Sequence, residues 1–447
     1  MPKNKTTYAR RLTLFDGIMV VVGGIIGAGI FLNPAIVAQR LPTSGLVLAA
    51  WAIGGGIALI GALCFGELGS RRPQAGGGYV YLREAFGPLP AFLYGWTQLF
   101  VINTGGISAV AMTFAYYAAS LFNLGDGFAK PLAIGSVVLL TGINYLGIKP
   151  GSITQNIFTV LKLVAVAVLT VAGLMLFGSG TATETVSQHS FGHWDIIVAM
   201  GTALIPVLFA FGGWQHANNV AGEIRNPKKK LPQITIIGII IVIVSYLLVN
   251  LAYVSALGVD GLASSSAPAS DVTQALWGNF GGKLISAGIA ISTFGFVNLA
   301  ILGGARIYQA MADDGLFFKK AAKLHPKYRT PSFSLIIQAG WIIVLIFSGS
   351  YGQLLDYTVF GDWIFFGLIA ATIFYYRNND SKENSDESFR MPGHPVLPLL
   401  FILAAVFVVV SSIFSNLFNA MVGGGLILAG IPIYLYWKSQ KESDYES

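Results

Sequence analysis

Twelve apolar runs follow one another along this chain of 447 residues, and no other feature constrains its fold as much. They fall near 14–39, 44–68, 88–119, 131–148, 152–177, 195–221, 232–257, 281–303, 333–349, 354–376, 395–415 and 417–437. A helix needs about 20 apolar residues to cross a bilayer, so twelve spans need roughly 240. That is close to the 54% of the chain that is hydrophobic. Charged residues are only 11%, against about 25% in soluble domains, and mean hydropathy is +0.68. A soluble fold is excluded, and an all-α membrane protein of twelve transmembrane helices is expected.

An even number of spans puts both termini on one side, and Lys and Arg decide which, because they collect in cytoplasmic loops. Of the 27 Lys and Arg, 23 lie in the termini and the loops on the terminal side. The opposite loops hold only Arg40, Lys130 and Lys283, and Lys162 stands within a span. Both termini are therefore expected in the cytoplasm, with the protein in the inner or plasma membrane. The net charge of +7 has its cause in this topology, and no basic patch with interleaved aromatics points to nucleic acid. The basic start MPKNKTTYARR leads into an apolar run without a small-residue cleavage site, so it is expected to be a retained first span. A single cysteine, Cys64, allows no internal disulfide.

Span 1 carries Gly23, Gly24, Gly27 and Gly29 within seven positions, and each glycine weakens a helix by about 0.5–1 kcal/mol relative to alanine. It is expected to unwind there. Span 6 has a matching weak point at Phe209-Ala210-Phe211-Gly212-Gly213-Trp214, preceded by Pro206. The breaks lie five spans apart, an odd interval, so the second unit enters the membrane from the opposite face. The expected architecture is a 5+5 inverted repeat, 14–177 and 195–376, followed by helices 11 and 12 at 395–437. The blander alternative is close packing, since Gly23 and Gly27 form a small-xxx-small pair.

Unwound main chain in mid-membrane must face protein, water or a ligand. Free amides at Gly27, Ala28 and Gly29, with the positive end of the following half-helix, suit a carboxylate. Carbonyls at the end of the first half-helix, near Gly24 and Ile25, and near Phe209 suit an ammonium. A ligand carrying both charges is an α-amino acid. Ala210, Phe211 and Gly212 complete the expected lining.

The motifs GGIIGAGIF at 23–31, GELGSRRPQAGGGYVYLREAFGPLPAF at 66–92 and FAFGGWQHANNVAGE at 209–223 resemble those of the L-type amino acid transporter family of the amino acid, polyamine and organocation superfamily. The resemblance covers almost the whole chain. It implies that Gly27, Ala28 and Gly29 bind the substrate carboxylate, that Phe209 is an outer gate, and that Lys162 is the family's span 5 lysine. It also implies obligatory exchange, usually without sodium and with no cofactor. Eukaryotic members carry a disulfide-linked heavy subunit, attached through a cysteine in the loop between spans 3 and 4. The corresponding loop here, Ser120 to Lys130, has none, so no such partner is expected.

A charge within a span is costly and calls for a function. Lys162 is expected to bridge the unwound part of span 1 to span 8 near Ser292, in the space where sodium symporters hold a cation. Asn218 and Asn219 are open between local structure and substrate contact, with Asn103, Thr104 and Asn298 as weaker candidates. Trp214 is expected to be structural. Glu67 and Glu223 read as ion pairs beside basic loops, while Asp356 and Asp362 fall toward the outer end of span 10 and are expected to face water. The five histidines (His189, His193, His216, His325, His394) show no metal-ligand spacing. QAGGGY at 74–79 lacks the ending of a phosphate loop and reads as a flexible or re-entrant gate. Small neutral amino acids such as alanine and serine are the expected substrates, since no side chain near the breaks offers a charge and Phe209, Phe211 and Trp214 limit the volume. The rival readings are a proton- or sodium-coupled symporter of the same fold, a channel and a membrane enzyme. No continuous polar stripe or nucleophile constellation favours either of the last two.

Overall fold

The computed structural model describes residues 7–176, 193–348, 351–380, 388–415 and 417–446. His189 lies outside these residues, as do the side chains of His193 and Asp356. Among them the chain is all helical, and its one β-like contact is an isolated bridge between Leu12 and Ile224. Eight helices are long and apolar enough to cross a bilayer, nine when the bent pair α1 (Leu14–Ile25) and α2 (Gly29–Ala38) is taken as one span. Twelve spans were expected. The other three expected positions also hold helices: α7 (Ala129–Tyr145), α14 (Ser332–Ser348) and α15 (Tyr351–Asn379). The first two have 17 residues each, or about 26 Å of helix.

Between these come α3 (Ser44–Arg71), α4 (Gly78–Phe86), α5 (Pro88–Thr97), a π-helical turn at Gln98–Ile102, α6 (Asn103–Leu121) and α8 (Ile148–Met175). The second half runs through α9 (His193–Phe211), α10 (His216–Asn219), α11 (Pro227–Ser264), α12 (Pro268–Trp277) and α13 (Asn279–Asp313). After α14 and α15 the chain closes with α16 (Val396–Ser415), α17 (Leu417–Leu428) and α18 (Gly430–Glu446).

Glycine brings the central helices together. A Cβ on Gly54 of α3 would stand 2.3 Å from Val207 of α9, one on Gly17 of α1 2.3 Å from Ile234 of α11, and one on Gly238 of α11 2.5 Å from Val21. Between apolar helices in lipid, close approach of this kind is a main source of association energy. α1 begins at a capping box: Thr13 Oγ1 accepts from the Asp16 amide, and the Asp16 carboxylate accepts from the Thr13 amide at 2.7 Å. Two orphan amides are satisfied together, which fixes where the first span starts.

Candidate functional site

α1 ends at Ile25 and α2 starts at Gly29, with a 43° bend across Ile26-Gly27-Ala28. The expected unwinding at the glycine run is where the chain leaves helical geometry. The second break follows α9, which continues through Phe211 instead of ending near Phe209. Packing explains the two extra residues: Phe211 is buried, with its ring 4.9 Å from Tyr246 and 5.9 Å from Trp51. Residues 212–215 are non-helical, and Gly213 has φ +134, a conformation suited to glycine. A Cβ there would lie 2.4 Å from the Gly24 carbonyl oxygen. The two breaks therefore touch main chain to main chain, a contact only glycine permits.

Side chains from other helices hold the breaks open. Lys162 of α8 is buried and donates to the carbonyls of Gly23 at 2.9 Å and Ile26 at 2.8 Å. Ser292 of α13 donates to the same Ile26 carbonyl at 3.3 Å. Tyr246 of α11 lies within hydrogen-bonding distance of Ile25 O at 3.0 Å and Ala210 O at 3.1 Å, so one hydroxyl serves both breaks. These contacts change the expected availability of carbonyls, because those of Gly23, Ile25 and Ile26 are taken by protein groups. Asn33 ties α2 to α9 by donating to Pro206 O at 2.8 Å. Without such partners each exposed carbonyl would carry a desolvation cost of about 1–3 kcal/mol.

The breaks line a cavity of about 150 Å³. Gly24, Ile25, Gly27, Ala28, Gly29, Phe209, Ala210 and Gly212 all border it. Phe211 does not, for the packing reason above, and neither does Trp214, whose buried ring lies among Phe65, Phe366 and Phe401. Of the three aromatics expected to limit volume, only Phe209 stands at the cavity, 37% exposed. A Cβ on Gly27 would find only Ile25 O, at 4.0 Å, whereas one on Gly29 would lie 3.2 Å from Ala210. The first amides of α2 have no intrahelical acceptors.

The remaining wall comes from helices distant in sequence. Gln98 and Ile102 border the cavity from the π-turn, an irregularity often found at functional sites. Asn103 borders it beside them, and its amide nitrogen lies 3.3 Å from Ala300 O. Phe296 of α13 and Asp362, Trp363 and Phe366 of α15 complete this side. Asp362, expected to face water toward the outer end of span 10, borders the cavity and accepts from Gln98 Nε2 at 3.4 Å. The carboxylate interrupts an apolar run from Gly361 to Ala371. Tyr246 and Gln98 had no local signal, since their roles come from partners far along the chain.

Asn218 and Asn219 sit off the cavity. Asn218 donates to Phe65 O at 2.8 Å and Tyr81 OH at 2.9 Å, and the Asn219 carbonyl accepts from the Gly76 amide at 3.0 Å. The turn at residues 75–77 is seated on α10, and Gly78 and Tyr79 begin α4. Gly76 and Gly77 both have positive φ, and a Cβ on Gly77 would lie 2.6 Å from Asn219 Oδ1. Thr104 bonds to Leu99 O, and Asn298 joins Gly151 O and Gln155.

Away from the cavity, buried ion pairs join the ends of several helices. Glu223 and Arg306 pair at 2.9 Å with both side chains 1% exposed, and Glu67 holds Arg71 at 2.9 Å and Arg377 at 2.6 Å. Arg71 and Arg72 reach Asp380, while Asp314 pairs with Arg83 and accepts from Tyr79. Arg11 and Leu12 donate main-chain bonds to Glu223 O at 2.8 and 2.9 Å. These groups tie α3, α4, the turn Ala221–Glu223 and the ends of α13 and α15 to one another and to the segment before α1.

The profile of the amino acid permease family matches residues 12–437. The serine/threonine exchanger SteT of Bacillus subtilis (strain 168) is 31% identical over 97% of this chain and 98% of its own. The b(0,+)-type amino acid transporter 1 of Rattus norvegicus is 32% identical over 92% and 84%. The human (Homo sapiens) cystine/glutamate transporter is 29% identical over 97% and 86%.

Proposed function

The chain belongs to the amino acid permease family and is a multi-pass membrane transporter of amino acids, and from that premise we propose that it exchanges small neutral L-amino acids without sodium. The observation that carries this reading is one cavity lined by main chain from both helix breaks. The substrate carboxylate sits on the amides of Gly27, Ala28 and Gly29 at the positive end of α2. Its ammonium faces the Gly24 carbonyl and the negative end of α9. Ile25, Ala210 and Gly212 form the wall, and Phe209 is the outer gate. Phe211 acts from behind, through Tyr246.

Lys162 and Ser292 converge on the Ile26 carbonyl, and an ammonium there takes the place of a coupling cation. Sodium independence follows. The proposed architecture is twelve spans in two inverted five-helix units, 14–177 and 195–376, with 395–437 as two further helices. Helices at all twelve expected positions support it, as do breaks five spans apart. The distribution of Lys and Arg favours cytoplasmic termini in the inner or plasma membrane. The buried ion pairs then close the cytoplasmic side and leave the cavity to the outside, one end point of alternating access. The chain works without a heavy subunit, its Ser120 to Lys130 loop having no cysteine.

Counterflow tests the proposal: the purified chain in liposomes loaded with unlabelled serine should take up labelled serine only while internal amino acid is present, with or without sodium. Uptake that needs a sodium or proton gradient and ignores internal amino acid contradicts it.

A further inference from the structure

Among the described residues Asp362 is the one acidic side chain bordering the cavity, and no Lys or Arg borders it with Asp362. Its hydrogen bond from Gln98 Nε2 is long, at 3.4 Å. The carboxylate therefore keeps most of its acceptor capacity for whatever enters. Water entering the open cavity would hydrate it. Once a substrate fills the cavity and the gate closes, an apolar side chain would leave the charge dry and unpaired, which is strongly unfavourable. A side chain that donates a hydrogen bond replaces the lost water. The ligand's own charged ends are met elsewhere, at the main chain of α2 and α9, so the wall formed by Gln98 and Asp362 is left to the side chain.

We propose that Asp362, positioned by Gln98, is the specificity residue of the cavity and selects small amino acids with a hydroxyl side chain over apolar ones of the same shape. This rests on the exchanger reading and adds to it a side-chain subsite. A short cationic side chain could also pair with this carboxylate, and competition by 2,4-diaminobutyrate separates the two. In the bound state the hydroxyl hydrogen points to an Asp362 carboxylate oxygen, and the Gln98 amide stays on that carboxylate.

The test compares threonine with valine, which differ by one hydroxyl in place of a methyl. Competition against labelled alanine counterflow by the purified full chain should favour threonine by at least tenfold, as a hydrogen bond to a charged group predicts. In Asp362→Ala the preference should fall to within about threefold of unity, and Asp362→Asn should lie between, since a neutral acceptor remains. The preference is a ratio within each protein, so a general loss of activity does not move it. If a variant transports too poorly, ligand-induced thermal shifts by threonine and valine give the same ratio. Equal competition by threonine and valine in the unaltered chain overturns the proposal, as does an unchanged ratio in Asp362→Ala. So does 2,4-diaminobutyrate competing better than threonine, which makes the subsite cationic in preference. Absence of alanine counterflow altogether refutes the exchanger reading instead, so the two failures are distinguishable.

Discussion

Replacing Gly27 with alanine separates a glycine kept for a ligand from one kept for packing. The added methyl would meet nothing closer than Ile25 O at 4.0 Å, and the backbone at 27 is not in the left-handed region. On folding grounds the change is neutral or stabilising by about 0.4–1 kcal/mol, through the reduced freedom of the unfolded chain. The same methyl points into the cavity where the substrate carboxylate is proposed to sit. Displacing that carboxylate from one main-chain amide removes a charge-assisted bond of about 1.5–3 kcal/mol, a ten- to 150-fold loss of affinity. Gly24→Ala is the contrast, because its methyl would lie 2.9 Å from Leu299 and 3.0 Å from Gly213 O. The assay is thermal unfolding of both purified variants with and without serine, together with the KM of counterflow. Gly27→Ala should unfold no earlier than the parent yet need at least tenfold more serine, while Gly24→Ala should lose thermal stability. An unchanged KM in Gly27→Ala refutes the argument that the amides at this break hold the substrate.

Tyr246→Phe keeps the ring contacts with Trp51 and Phe211 but removes the hydroxyl shared by Ile25 O and Ala210 O. Leaving these acceptors unpaired should cost about 1–3 kcal/mol, seen as a lower unfolding midpoint and slower counterflow. Lys162→Met strips the Gly23 and Ile26 carbonyls of their ammonium; counterflow should fall at least tenfold, and sodium should not restore it. Arg306→Met leaves Glu223 buried and unpaired, a loss of roughly 3–5 kcal/mol, and adding Glu223→Gln should recover much of it in denaturant unfolding.

What could be read without coordinates was whatever a short stretch of sequence decides by itself. Glycines at 23, 24, 27 and 29 mark the first break because helix weakness is local, and the helix does stop at Ile25. Gly212 and Gly213 mark the second, but its edge moved to Phe211 because an aromatic stack with Tyr246 and Trp51 extends the helix. Lys162 stood out as a charge among apolar residues, and its partners are main-chain carbonyls at the first break. Asp362 was placed only by its depth, toward the outer end of span 10, and depth along a helix does not say which face a residue occupies; it borders the cavity. Tyr246 and Gln98 were invisible: one is a tyrosine among 18, and the other acts from a π-turn. Their roles arise only when α11 and the turn before α6 are packed against the breaks.

In the proposed mechanism two interrupted helices clasp an amino acid with their main chain. A structure of the chain with serine bound tests it most directly. Density for the carboxylate is expected within hydrogen-bond distance of the amides of residues 27–29, with the ammonium toward the Gly24 carbonyl. Serine bound away from both breaks, or α1 and α2 joined as one straight helix in the bound state, would contradict it.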